Sequence, residues 1–172
     1  MVLGVDAWVA RAADEIAGRV ERELEALVAV SSPSGDVHGA EDCVAVARAL
    51  APDAATVQRL PCSSPAHADD LVLRVRGSGR GRLLLLGHLD TVVAHAAHDP
   101  LHRSSDGARR IGSGSIDMKG GDALALGVLR ALAAGGDGCP AFEEVALLLV
   151  VDEEWRTGPL AHVERFAGLE AE

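Results

Sequence analysis

The chain has 172 residues, enough for one real core, since a domain of this size buries roughly 70% of the surface its unfolded chain exposes. Its 16 Lys and Arg stand against 26 Asp and Glu, a formal charge of −10, and a field of that sign repels phosphate backbones and anionic lipid, so neither nucleic acid nor membrane is an expected partner. Aromatic residues make up only 2%, which leaves Ala, Val and Leu to build the core.

Taken in chain order, residues 5–29 repeat apolar side chains at Trp8, Ala12, Ile16, Val20, Leu24 and Leu27 among charged neighbours, the period of an amphipathic helix. Ser31-Ser32-Pro33-Ser34-Gly35-Asp36 is a dense turn cluster, and Val44, Ala47 and Leu50 resume helical spacing over 41–50 until Pro52. Residues 56–60 and 71–76 are short β-type runs. The apolar run 82–86 suits a strand covered on both faces and ends at Gly87-His88. The polar stretch 92–110 reads as a surface excursion with Ser104-Ser105-Asp106-Gly107 at a hairpin tip. Residues 118–134 carry Ala123, Leu126, Leu129 and Leu132 at helical spacing and stop at Gly135-Gly136-Asp137-Gly138. A second buried strand follows over 144–151, and 159–166 is expected to add a short helix. Strand, helix and strand over 82–151 form a βαβ unit with parallel strands.

Residues 1–30 carry charges throughout, which excludes a signal peptide and a membrane span there and makes the cytoplasm the expected compartment. Cys43, Cys62 and Cys139 are odd in number and widely spaced, so they read as reduced packing residues, with no disulfide framework or thiolate zinc site indicated. His38, His67 and His162 have no evident partners in the sequence. His95, His98 and His102 fall in the surface excursion and read first as loop residues at the mouth of a site, with contact between His98 or His102 and a bound molecule as the less favoured alternative.

Both long apolar runs end in metal-capable groups, His88 and Asp90 on one and Glu153 and Glu154 on the other. Ligands in parallel sheets bind outside the carboxyl ends of the strands, so neighbouring strands would bring these groups together. His88 and Asp90 are two residues apart and point to one side if the chain stays extended, so that Asp90 can hold the His88 ring in the tautomer a metal needs. Singly, each string has an ordinary reading: a His after a strand is more often a hydrogen-bonded turn residue, and Asp-Glu-Glu a solvated helix start. The glycines around Asp117 suggest close backbone approach, but a phosphate loop is excluded because its Gly-Lys-Ser/Thr ending is absent.

Jointly, Gly87-His88-Leu89-Asp90-Thr91-Val92, Gly112-Ser113-Gly114-Ser115-Ile116-Asp117-Met118-Lys119-Gly120-Gly121 and Asp152-Glu153-Glu154 resemble, in order and spacing, the signatures of the M20 metallopeptidases and deacylases, the family of glutamate carboxypeptidase, acetylornithine deacetylase and aminoacylase. The resemblance spans nearly the whole chain, Ser32-Pro33-Ser34-Gly35 included, and corresponds to the first part of a full-length member. It implies an α/β three-layer sandwich with a largely parallel central sheet. It also implies two zinc ions bridged by Asp117, with His88 on one metal and Glu154 on the other, cobalt or manganese being alternatives. Glu153 would be the general base, Asp90 the carboxylate orienting His88, and the Asp117–Met118 peptide cis. The implied reaction is hydrolysis of an amide or peptide bond in a peptide or N-acyl amino acid, with carboxypeptidase, deacylase and dipeptidase activities all open.

The same resemblance marks what the 172 residues do not include. Glu172 lies eighteen residues beyond Glu154, before the later carboxylate and the distal His that complete each zinc in the family, and before the lid domain that serves dimerisation. The expectation is a partial catalytic domain over 1–172, with two protein ligands per metal where zinc sites take at least three. Such a chain would bind zinc weakly and would not form the homodimer of full-length relatives through the lid. The alternative to an enzyme is an inactive remnant, or a half-site that needs a complementary polypeptide. Trp155-Arg156-Thr157-Gly158-Pro159 departs from the Gly-Ser pattern usual after the acidic triplet.

Overall fold

In the computed structural model, which describes residues 6–155, helix α1 (Ala7–Val28) begins where the Asp6 carboxylate accepts from the N–H groups of Trp8 and Val9 at 2.7 and 3.4 Å. Those are donors that a helix start otherwise leaves open. Helix α2 (Val37–Leu50) starts earlier than the apolar period indicates, because Asp36 caps it by accepting from Gly39 N–H at 2.7 Å. Helix α3 (Gly120–Ala134) ends at Gly135, whose φ of +67° suits only a glycine well.

The strands β1 (Thr56–Leu60), β2 (Asp70–Arg76), β3 (Arg82–His88) and β6 (Glu144–Val150) form a sheet in the order β1-β2-β6-β3. A two-stranded ribbon, β4 (His102–Arg103) with β5 (Arg110–Ile111), makes the expected hairpin. The α/β class expected from the sequence is the class observed. The βαβ unit is present too, since β3 pairs parallel with β6 through α3, from Arg82 opposite Glu144 to His88 opposite Val150. The sheet as described is mixed, because β2 runs antiparallel to both β1 and β6.

Strand β6 is buried along its whole length, as its apolar run requires. The comparable run of β3 is not covered on both faces: among the described residues β3 lies at the sheet edge, with Leu83 49% and Leu86 54% exposed. The core fills one face of the sheet, where Leu71, Leu73, Leu147 and Leu149 meet Leu27 of α1, Val44 of α2 and Leu126 of α3. Val72, Ala146, Leu148 and Val150 form a smaller cluster on the other face. The short helix expected over 159–166 lies outside the described residues.

Two buried charges tie the helices together. Glu23 of α1 pairs with Arg19 at 3.0 Å and with Arg130 of α3 at 2.9 Å. Lys119, 1% exposed, donates from Nζ to the carbonyls of Leu27 at 3.1 Å and Val30 at 2.7 Å, so a cation satisfies the carbonyl end of α1.

Candidate metal centre

The carboxyl ends of β3 and β6 lie side by side, and the ladder runs one step further as Leu89 N–H donates to Val150 O at 2.8 Å. The turn cluster at 32–34 joins the same edge: Thr91 N–H donates to Ser32 O at 2.9 Å, Ser34 N–H to Thr91 O at 3.0 Å, and Ser32 Oγ to Leu89 O at 2.7 Å. Three strings distant in sequence are thereby held as one backbone frame.

Within it, His88 is almost fully buried and Asp90 is 1% exposed. The His88 Nδ1 faces only acceptors, the Asp90 carbonyl at 3.1 Å and Asp90 Oδ1 at 3.3 Å, so it carries hydrogen. The Nε2 points the other way, 3.1 Å from Asp117 Oδ1. Asp90 also accepts from the N–H groups of Glu153 at 3.1 Å and Glu154 at 3.0 Å, and from Ser34 Oγ. One carboxylate therefore fixes the His88 ring and the start of the acidic segment together. The Ser34 contact was not read from the sequence, because a turn serine gives no sign of which distant acid it meets.

Asp117 comes from an irregular turn, 115–119, that precedes α3, and the Asp117–Met118 peptide is cis. Gly114, with φ of +71°, opens this turn, and a Cβ there would lie 2.7 Å from Thr91 Cγ2. That close approach explains the glycine. The Asp117 side chain is 73% exposed beside the buried His88. Glu153 is exposed and Glu154 half-buried, and a ligand atom from each lies with one from His88 inside a 4.8 Å cluster.

The electrostatics are those of converging negative charge. Burial opposes a charge on His88, but the hydrogen bonds its ring donates to Asp90 and Asp117 outweigh it and push its pKa up to about 9. Burial raises the Glu154 carboxyl, and the charges of Asp117, Asp90 and Glu153 add to the rise. Burial likewise works against an ionised Asp90, yet the His88 and Ser34 hydrogen bonds and the Glu154 N–H hold its pKa below the usual value. An imidazole nitrogen facing carboxylates that repel one another suits a divalent cation. The donor set fits zinc.

A groove of about 500 Å³ adjoins Asp117 and Glu154 and is walled by Val92, Arg109, Ile111 and Ile116. Neither His98 nor His102 lines it. His102 Nδ1 turns to Pro100 O at 3.1 Å, and His95 bridges Ser31 Oγ at 2.8 Å and Asp36 Oδ2 at 3.1 Å. His67, without a partner by sequence, has a ring nitrogen close to Cys62 and Asp152. Among the described residues no helix is long and apolar enough to cross a membrane.

Comparison with known proteins bears on the same segments. Residues 84–172 match Peptidase family M20/M25/M40. Over 136 residues the chain is 29% identical to carboxypeptidase G2 of Pseudomonas sp. (strain RS-16), covering 78% of this chain and 32% of that protein. Its fold is similar to that of the di-peptidase Dug1p from Saccharomyces cerevisiae, with a TM-score of 0.71 at 17% identity over 92% of this chain and 36% of that one. It is also similar to the M20 family metallo-carboxypeptidase Sso-CP2 from Sulfolobus solfataricus, with a TM-score of 0.65 at 16% identity over 88% of this chain and 35% of that one. The chain spans about a third of the length of these relatives. With the family match running over half its length and through the glycine-flanked Asp117 and the acidic triplet, this chain belongs to peptidase family M20/M25/M40.

Proposed function

We propose that the chain is part of the catalytic domain of a metal-dependent hydrolase of amide or peptide bonds, of the carboxypeptidase or N-acyl amino acid deacylase type. The observation that carries this reading is the convergence of His88, Glu153 and Glu154 within 4.8 Å, with Asp117 Oδ1 3.1 Å from His88 Nε2. In this reading His88, Asp117 and Glu154 would hold two zinc ions, with Asp117 the ligand common to both, and cobalt or manganese would suit the same donors. Such a pair, when bound, polarises the substrate carbonyl and lowers the pKa of water toward neutrality.

The protein's own residues divide the remaining work. Asp90 keeps the Nδ1 hydrogen of His88 turned inward, which leaves the Nε2 lone pair for the cation. Glu153, exposed and outside the ligand set, takes a proton from the attacking water at a carboxylate oxygen and returns it to the leaving amine nitrogen. The groove along Val92, Ile111 and Ile116 receives an apolar portion of a peptide or N-acyl amino acid substrate.

A second reading is favoured by the chain's spanning about a third of its relatives: the site is half of one that further polypeptide completes. Held by His88, Asp117 and Glu154 alone, each cation would have two protein ligands where zinc normally takes at least three. Hydrolysis of an N-acetyl amino acid, a dipeptide and a C-terminal glutamate amide, with added zinc, separates the readings. Turnover by 1–172 that is abolished in Glu153→Ala supports an active site on these residues alone. Turnover only in a polypeptide of the relatives' length, again abolished by that change, supports the half-site. Turnover indifferent to Glu153→Ala refutes the assignment of the base.

A further inference from the structure

Between β1 and β2 the chain turns through residues 61–69 over the end of β6. His67 N–H donates to Ser64 O at 3.3 Å, and Ala66 between them takes φ of +62°, a left-handed conformation uncommon for a residue with a Cβ. The turn presents Cys62 and His67 to Asp152, which is fully buried at the start of the acidic triplet. One ligand atom from each of Cys62, His67 and Asp152 falls within 4.8 Å of the other two.

We propose that Cys62, His67 and Asp152 form a metal site separate from the His88 cluster, one that takes a single divalent transition cation of the zinc class.

Three features carry this. The donor set of one thiolate, one imidazole and one carboxylate is a three-ligand set of the kind that leaves zinc a fourth position for water. The His67 Nδ1 is sealed from water and, among the described residues, has no hydrogen-bond partner, and a buried polar atom left this way in a native protein calls for an ion or a water. The ligands are also held in place: Ser64 Oγ donates to Asp152 Oδ2 at 2.9 Å, and the His67 ring lies against Gly35, where a Cβ would come 3.5 Å from Nε2. Outer contacts of this type orient metal ligands.

A nucleophilic thiol is the competing use of Cys, His and Asp, but it needs the thiol hydrogen-bonded to the imidazole. The Cys62 thiol donates to Ser64 O at 3.1 Å, while among the described residues the His67 Nδ1 has no hydrogen-bond partner. On binding, the Cys62 thiol releases its proton to solvent as the sulfur–metal bond forms, with no change of oxidation state. Asp152 directly precedes the exposed Glu153, so the cation clamps the 61–69 turn onto the segment that carries the proposed base.

Cobalt(II) titration of the 172-residue chain tests this, because a thiolate-to-cobalt charge-transfer band in the near ultraviolet reports sulfur ligation and the His88 cluster contains no sulfur. The band should saturate at one cobalt per chain, vanish in Cys62→Ser, and persist in Cys139→Ser and in His88→Ala. Persistence in His88→Ala separates this site from the proposed catalytic one. In His67→Gln the band should need at least about tenfold more cobalt, the least that loss of a metal-orienting group costs. Absence of the band in the unaltered chain overturns the proposal whatever the variants do, and so does a band that survives Cys62→Ser in a folded protein.

Discussion

Asp122 lies in the first turn of α3 with its side chain 0% exposed and, among the described residues, no hydrogen-bond partner for either carboxylate oxygen. Burial pushes its pKa up to about 8, against the pull of the His88 and Lys119 charges. The folded chain therefore keeps a proton on Asp122 across a range in which the unfolded chain, with the ordinary carboxyl value of 3.8, has released it. Below about pH 4 both states are protonated and the group has no effect. From there to about pH 8 folding must take up a proton, and stability falls by ~1.4 kcal/mol per pH unit; above about pH 8 the loss is constant. Replacing Asp122 by Asn keeps the shape and removes the titration. The variant should match the parent near pH 4 and exceed it by ~4 kcal/mol at pH 7, which at a urea slope of about 2 kcal/mol per molar moves the midpoint by roughly 2 M. Urea unfolding at pH 5, 6, 7 and 8, followed by far-ultraviolet circular dichroism, measures this. Parallel profiles for the two proteins across that range would refute the reasoning and show that Asp122 is ionised in the folded state.

Lys119→Met has the opposite sign, since it strands the carbonyls of Leu27 and Val30; a loss of ~2–4 kcal/mol is expected, read as a lower thermal midpoint, and an unchanged midpoint counts against the capping role. Gly87→Ala would set a Cβ 2.0 Å from Asp122 Oδ1 and 3.0 Å from Leu149 Cδ2, costing ~3 kcal/mol as overpacking. The double change with Asp122→Ala should recover much of that in the same urea assay, and strict additivity would show that the clash lies elsewhere. Asp90→Asn weakens the hold on His88 and on the Glu153 and Glu154 amides, and calorimetric titration should show zinc affinity falling roughly 10–100-fold. Equal affinity would remove Asp90 from the metal-orienting role.

The periodic elements were legible in the sequence because the signal is local. The spacing from Trp8 to Leu27 and the apolar run at 144–151 correspond to α1 and β6 within a residue or two. The start of α2 was less so, since Asp36 works as a cap only once Gly39 N–H is in reach. The α/β class and the parallel β3–β6 pair followed from the order of elements, and His88, Asp90, Asp117, Glu153 and Glu154 stood out because their glycine-flanked and acidic strings sit where strands end.

What the tertiary structure decided depends on contacts between residues far apart in the chain. The edge position of β3 is set by which strand pairs with which, and a continuous apolar run reads the same at the edge and at the centre. The antiparallel insertion of β2 between β1 and β6 leaves no mark on composition. Ser34 meets Asp90 across 56 residues, Ser64 meets Asp152 across 88, and Lys119 reaches Leu27 across 92. Cys62 and His67 read singly as a packing thiol and an idle histidine, and only the folded turn brings them to Asp152. By itself the sequence determined which groups end each strand and helix, because hydrophobic period and turn chemistry act over a few residues. Only the fold decided which of those groups share a site, because a few ångströms in space bear no relation to separation along the chain.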